Sequence, residues 1–275
     1  MKLEEATLAL EPRSVGACID IAILFYQRHF DKMLPLSLIF GVVPVTVGML
    51  GAANGNGWLL SGLLFFFVSP FLGATVVAGA GHHVFGEEFT IRRALMHTYR
   101  RLPVLLLWLP AARLVYALIG IMCWGFLSVP LATRYGFLSE VLILEQLRGG
   151  RTLKRLEEIL RNSYLEACGR YTTILAFTFC VGLTLFLLFD LGAQFLFATP
   201  IFMAKVSWAV AAEDIANLLA YDPLLVGALS ATWWLVYPLA RLAWFFCYLD
   251  ARVRKEGWDV EIELRVEARR LLNAS

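Results

Sequence analysis

Residues 33–80 read MLPLSLIFGVVPVTVGMLGAANGNGWLLSGLLFFFVSPFLGATVVAGA, without one charged side chain. The tetrad Asn54-Gly55-Asn56-Gly57, a strong turn signal, divides this stretch into apolar runs at 33–53 and 58–80. Each run has about 20 residues, the length an α-helix needs to cross the hydrocarbon of a bilayer. The stretch therefore predicts two transmembrane helices joined as a hairpin. The same grammar continues at 103–130, with a weaker apolar run to 147, and at 171–197 and 223–248.

Composition agrees. The 275 residues are 59% hydrophobic and 17% charged, with a mean hydropathy of +0.69. A soluble domain carries about 25% charged residues, so this chain has too little polar surface to face water on all sides. The expected fold class is an all-α polytopic membrane bundle. A net charge of +2 gives no electrostatic footprint for nucleic acid. Cys18, Cys123, Cys168, Cys180 and Cys247 are scattered without a CxxC pair, which reads as packing rather than a disulfide or zinc framework. The acidic start Met1-Lys2-Leu3-Glu4-Glu5 lacks the order of a signal peptide, so the first span is expected to act as the insertion signal.

Charge decides how often the run from 103 to 147 crosses. Arg92, Arg93, Arg100 and Arg101 precede it; Arg148, Arg151, Lys154, Arg155, Arg161 and Arg170 follow it. Both groups belong on the cytoplasmic face under the positive-inside rule, which requires two crossings, 103–122 and 123–147. The second contains Pro130, Arg134 and Glu140 and is expected to be broken or shielded inside the protein. About six spans result, with both termini cytoplasmic. This arrangement puts 20 of the 24 Lys and Arg inside. Three regions follow: a cytoplasmic N-terminus with an amphipathic helix (1–32), a transmembrane helical domain (33–250) and a cytoplasmic basic, amphipathic tail (251–275).

Amphipathic segments starting near Ser14, Thr90 and Thr152 each precede a hairpin, with the hydroxyl residue placed as a helix cap. Their basic residues and apolar stripes suit helices lying in the headgroup plane. Residues 198–222, mostly apolar with Glu213, Asp214 and Asp222, read as an outer loop, with a short surface helix through Ile201, Val206, Val210, Ile215 and Leu218 as the alternative.

Ionisable residues inside spans point to function, because each is costly against lipid. Arg113, Arg134 and Arg241, with Glu140 and Glu145 near the inner end of span four, form the candidate ligand-binding set. The arginines either converge on an anionic group such as a lipid phosphate, which the guanidinium fork matches, or pair internally, as Arg134 with Glu140 or Arg241 with Asp190. The segment Gly81-His82-His83-Val84-Phe85-Gly86-Glu87-Glu88 puts His83 and Glu87 on one helix face. No third ligand is spaced nearby, so it reads as an interfacial turn rather than a metal site. GxSxG, Walker A, HExxH and GxGxxG patterns do not occur. No catalytic residue, metal or cofactor is expected.

The tail continues Asp250-Ala251-Arg252-Val253-Arg254-Lys255-Glu256-Gly257-Trp258-Asp259. Arg252, Arg254 and Lys255 are placed to meet anionic lipid, and Trp258 to sit at headgroup level. Either this is a juxtamembrane stop with a short cytoplasmic helix, or it docks a cytoplasmic partner. Asp250 followed by RVRKEGWDVE resembles the closing signature of a bacterial membrane-protein family related to the membrane domain of glycerophosphodiester phosphodiesterases. FGEEFTIRRAL resembles that family's segment before the third span. GFLSEVLILEQLRGGRTLKRLEEILRNSY resembles its block of apolar run, glutamate and basic helix, with Glu145 as the glutamate. The resemblance implies a six-span protein of the bacterial inner membrane. The His and acidic motifs of the soluble phosphodiesterase domain do not occur in the chain, so it implies no hydrolase.

Two function classes stand foremost. One is a non-catalytic membrane scaffold or assembly protein with a membrane or cytoplasmic protein partner. The other is a transporter or binder of an anionic lipid or small solute using the intramembrane arginines. Anionic membrane lipids are expected contacts in both.

Overall fold

A computed structural model describes residues 13–122, 128–147, 150–161, 163–198, 202–203, 205 and 215–256. Every regular element among them is helical, as the all-α reading expects. Five helices are long and apolar enough to cross a membrane: α2 (Phe30–Ala52), α3 (Gly57–Val84), α5 (Leu102–Met122), α9 (Tyr164–Phe197) and α11 (Pro223–Glu256). The chain is a multi-pass membrane protein. At 34 residues each, α9 and α11 are about 50 Å long, well beyond the roughly 30 Å of hydrocarbon. The start of α9 carries Glu166 and Arg170, and the end of α11 runs from Asp250 to Glu256. These charged turns project past the apolar part of each helix.

The shorter helices are α1 (Val15–Arg28), α4 (Ile91–Arg100), α6 (Ser128–Gly136), α7 (Leu138–Glu140), α8 (Gly150–Leu160) and α10 (Ile215–Tyr221). The three expected interfacial helices are α1, α4 and α8. Ser14 caps α1, accepting the Ala17 amide at 3.3 Å. Thr90 stands at the cap position of α4 but makes no side-chain cap bond. Thr152 is buried inside α8, which begins two residues earlier at Gly150. Within 198–222, α10 is a short helix that includes Ile215 and Leu218, as the alternative to a loop had it, and Asp222 caps α11 by accepting the Leu224 and Leu225 amides.

The predicted fourth span is not one helix. Residues 123–127 lie outside the described residues. After α6 and α7 the chain makes a single π turn over Val141–Glu145 and stops at Gln146, which is left-handed at φ 56°. Phe137 to Ile143 are all buried. This irregular backbone is tolerated because protein rather than lipid surrounds it. Helix α11 passes through residue 250 without a break to Glu256, so no change of structure marks the expected boundary between residues 250 and 251.

By internal contacts the chain forms two units. One contains 30–72 and 175–239. In it, Gly41 lets α2 close on Trp234, since a Cβ there would lie 2.9 Å from the indole Cγ. Ser61 donates to Ser230 at 2.7 Å between α3 and α11. Close approach over small residues with an interhelical hydroxyl bond is how helices associate where lipid supplies no hydrophobic drive. The carboxylate of Asp190, buried on α9, accepts the Phe202 and Met203 amides at 2.8 Å each, and Lys205 pairs with Asp222.

The other unit contains 1–29, 73–174 and 240–275. Its core stacks Phe137 on Trp244, ring centroids 4.6 Å apart, with Tyr171 edge-on to the same indole. The end of α3 packs on the following turn through Gly79, where a Cβ would come 2.0 Å from the ring of buried Phe89. Gly79→Ala should therefore cost about 1–3 kcal/mol by overpacking. Gly62→Ala, on the same helix but with no neighbour within 4 Å, should be nearly neutral. Thermal denaturation of the detergent-purified variants checks the contrast.

Candidate functional site

Acidic and basic side chains from distant parts of the sequence close on each other in the second unit. Glu145 ends the π turn. Its Oε2 accepts from Arg155 Nε of α8 at 2.7 Å, and its Oε1 accepts from the Tyr248 hydroxyl of α11 at 2.6 Å. Arg252 Nη1 lies 3.5 Å from the same Oε1. Glu256 in turn receives Arg252 at 2.6 Å and also Arg155. Two carboxylates and two guanidinium groups thus alternate in a closed ring, with Arg252 over the face of Tyr248 at 5.9 Å. Burial alone would lower the Arg155 pKa; its bonds to Glu145 and Glu256 outweigh that and hold it above the ordinary arginine value.

A second knot centres on buried Asp250. Arg170 Nη1 donates to it at 2.5 Å and Arg254 Nε lies 3.0 Å away. Arg170 also binds Glu166 at 2.7 Å, and both arginines donate to the Arg13 carbonyl. A third contact joins Arg241 Nη2 to Glu140 Oε1 at 2.5 Å; Glu140 is 0% exposed, and Ser139 bonds both groups.

The candidate residues therefore separate. Arg241 and Glu140 meet, in a pairing different from either one weighed from the sequence. Glu145 joins Arg252 instead. Arg113 is half-buried on α5, and Arg134 is exposed in the last turn of α6. Of the tail residues, Asp250, Arg252 and Arg254 are ion-paired within the protein, and Lys255 donates to the Glu158 carbonyl; Trp258 lies outside the described residues. Sequence reasoning missed Arg155, Arg170, Tyr248 and Glu256. Alone, each reads as an ordinary interfacial residue, and nothing in its spacing announces a partner a hundred positions away.

Beside Glu145 opens a cavity of about 650 Å³, lined also by His82, Phe85, Glu87, His97 and Gln146. Gly81 makes room for its wall: a Cβ there would meet Leu144 at 2.5 Å. Arg101 fixes the rim by donating to the Gln146 side chain at 2.6 Å and to its carbonyl. His82 Nδ1 is 2.9 Å from Glu87, so the imidazole donates there. All four histidines of the chain gather in this unit: His83 lies 4.6 Å from His29, and His82 lies 5.4 Å from His97. His29 and His97 are isolated in the sequence, and only folding brings them to the His82-His83 pair. Among the described residues no group of three or more His, Cys, Asp or Glu is arranged to hold a metal ion. No family model, curated protein or solved structure matches the chain.

Removing Glu140 would strand the Arg241 guanidinium, and breaking such a buried pair costs about 3–5 kcal/mol. Glu140→Leu should destabilise by that order, while Glu140→Leu with Arg241→Met should recover much of the loss. A double-mutant cycle on unfolding free energies checks this.

Burial first, then the charges of His82, Arg101 and Arg100, push the pKa of His97 below its ordinary value. Its Nδ1 is also buried without a hydrogen-bond partner among the described residues, which further disfavours the protonated ring. The unfolded chain, with a histidine pKa near ~6.5, binds this proton first. Stability from His97 is complete above that pH and is lost as pH falls toward the lower folded value. Melting temperature should drop between neutral pH and pH ~5, and less steeply in His97→Asn.

Proposed function

We propose that the protein is a non-catalytic scaffold or assembly protein of the bacterial cytoplasmic membrane, with both termini cytoplasmic. The observation that carries this reading is the closed ring of Glu145, Arg155, Glu256 and Arg252. It ties interfacial helix α8 to the projecting end of α11 and satisfies, within the protein, charges that a ligand site would leave free. An ion-paired module, followed in the sequence by the regularly spaced apolar residues Val260, Leu264, Ala268 and Leu271, suits engagement of a protein partner. The positive-inside balance supports this orientation, with the broken segment 123–147 as the sixth crossing. The resemblance to the phosphodiesterase-associated membrane domains supports the same membrane.

A second reading, a binder of a lipid or small solute, is favoured by the polar cavity beside Glu145. Exposed Arg92, Arg93 and Arg100 on α4 suit contact with anionic lipid around either.

Native mass spectrometry of protein extracted gently from its own membrane tests the scaffold. A partner protein at fixed stoichiometry is expected with the full chain and absent after deletion of 257–275, with melting temperature unchanged. A full chain carrying no partner protein, or a partner retained equally after the deletion, would overturn the reading.

A further inference from the structure

We propose that the cavity at the end of α3 is a binding site for a primary ammonium group, carried by a phospholipid headgroup or by a small free amine. Its volume of about 650 Å³ lies within the range of small-ligand sites, and its chemistry is one-sided. Glu87, Glu145, His82, His97 and Gln146 supply its polar lining among the described residues. Glu145 is already closed in the ion-pair ring, so Glu87, whose side chain is 56% exposed, is the carboxylate turned to the opening. One Glu87 oxygen meets His82; the carboxylate has lone pairs for a further donor. The ring of Phe85, a surface that attracts cations, stands in the same wall. Glu87 is thus the lining carboxylate that keeps acceptor capacity outside the ring. The complementary ligand is a cation that brings several N–H groups, which an ammonium does. A metal ion is a poorer match, because no three ligating side chains converge.

The position of the cavity indicates where the ammonium comes from. His82 lies in the last turn of a spanning helix, and His97 lies on the amphipathic helix α4. The opening is therefore at headgroup level. Arg100 follows His97 by three residues and shares its side of α4, and Arg101, the C-cap of that helix, reaches Gln146 on the rim. An ammonium in the cavity places a linked phosphate beside these two guanidinium groups. This arrangement fits a zwitterionic aminophospholipid rather than the anionic lipids expected from the basic surface.

The test uses the full chain in nanodiscs containing equal parts phosphatidylethanolamine, phosphatidylglycerol and phosphatidylcholine, with retained lipids counted by native mass spectrometry. Phosphatidylethanolamine should be retained about tenfold over phosphatidylglycerol, the worth of one charge-assisted hydrogen bond. Glu87→Gln should remove that preference without lowering the melting temperature, because the side chain is exposed; Phe85→Leu should weaken it. Displacement by millimolar ethanolamine assigns the site to free amines, and resistance to it assigns the site to the lipid headgroup. Equal retention of phosphatidylglycerol, or an unchanged preference in Glu87→Gln, would overturn the proposal, and neither result bears on whether the tail holds a protein partner.

Discussion

An ionised group near a bilayer must have a countercharge, because lipid and protein interior both solvate it poorly. This constraint organises the charged end of the protein. Glu145, Arg155, Glu256 and Arg252 form a ring in which every charge touches two of opposite sign. The ring draws on the π turn, α8 and the end of α11, so one electrostatic requirement fixes three elements that share no local sequence. Asp250 with Arg170 and Arg254 repeats the principle one turn earlier on α11, and Glu140 with Arg241 repeats it deeper still.

The lengths of α9 and α11 make these pairings possible. Both helices outrun the hydrocarbon, and the start of one and the end of the other belong to the same unit. Arg170 at the beginning of α9 thereby reaches Asp250 on α11, 80 positions away in the chain. A helix that ended at residue 250 would present Arg252, Arg254 and Lys255 to lipid headgroups. The continuous helix turns Arg252 and Arg254 toward carboxylates and Lys255 toward a carbonyl.

The broken segment is built unlike the five regular spanning helices. Its π turn ends at left-handed, exposed Gln146, aims Glu145 into the ring and leaves one wall of a polar cavity. Non-standard turns of this kind often occur at functional sites. Here the turn joins a structural knot to an open pocket through one carboxylate. Through that shared residue the ion-pair ring and a ligand-sized cavity adjoin.

The sequence by itself determined the membrane class, the hairpin at 33–80, the short helices α1, α4 and α8, and the irregular build of 128–147. Each rests on a local property: apolar run length, a turn tetrad, helical periodicity, or proline and charge within an apolar run. Pairing of charges is not local. Arg134 and Glu140 are six residues apart and suggested a pair, yet the tertiary structure matches Glu140 with Arg241, 101 positions on. The histidines show the same limit, since 29, 82, 83 and 97 become neighbours only when α1, α3 and α4 pack. Hydrophobic length is written along one dimension, whereas the countercharge of a buried ion is chosen by whichever helix end arrives beside it.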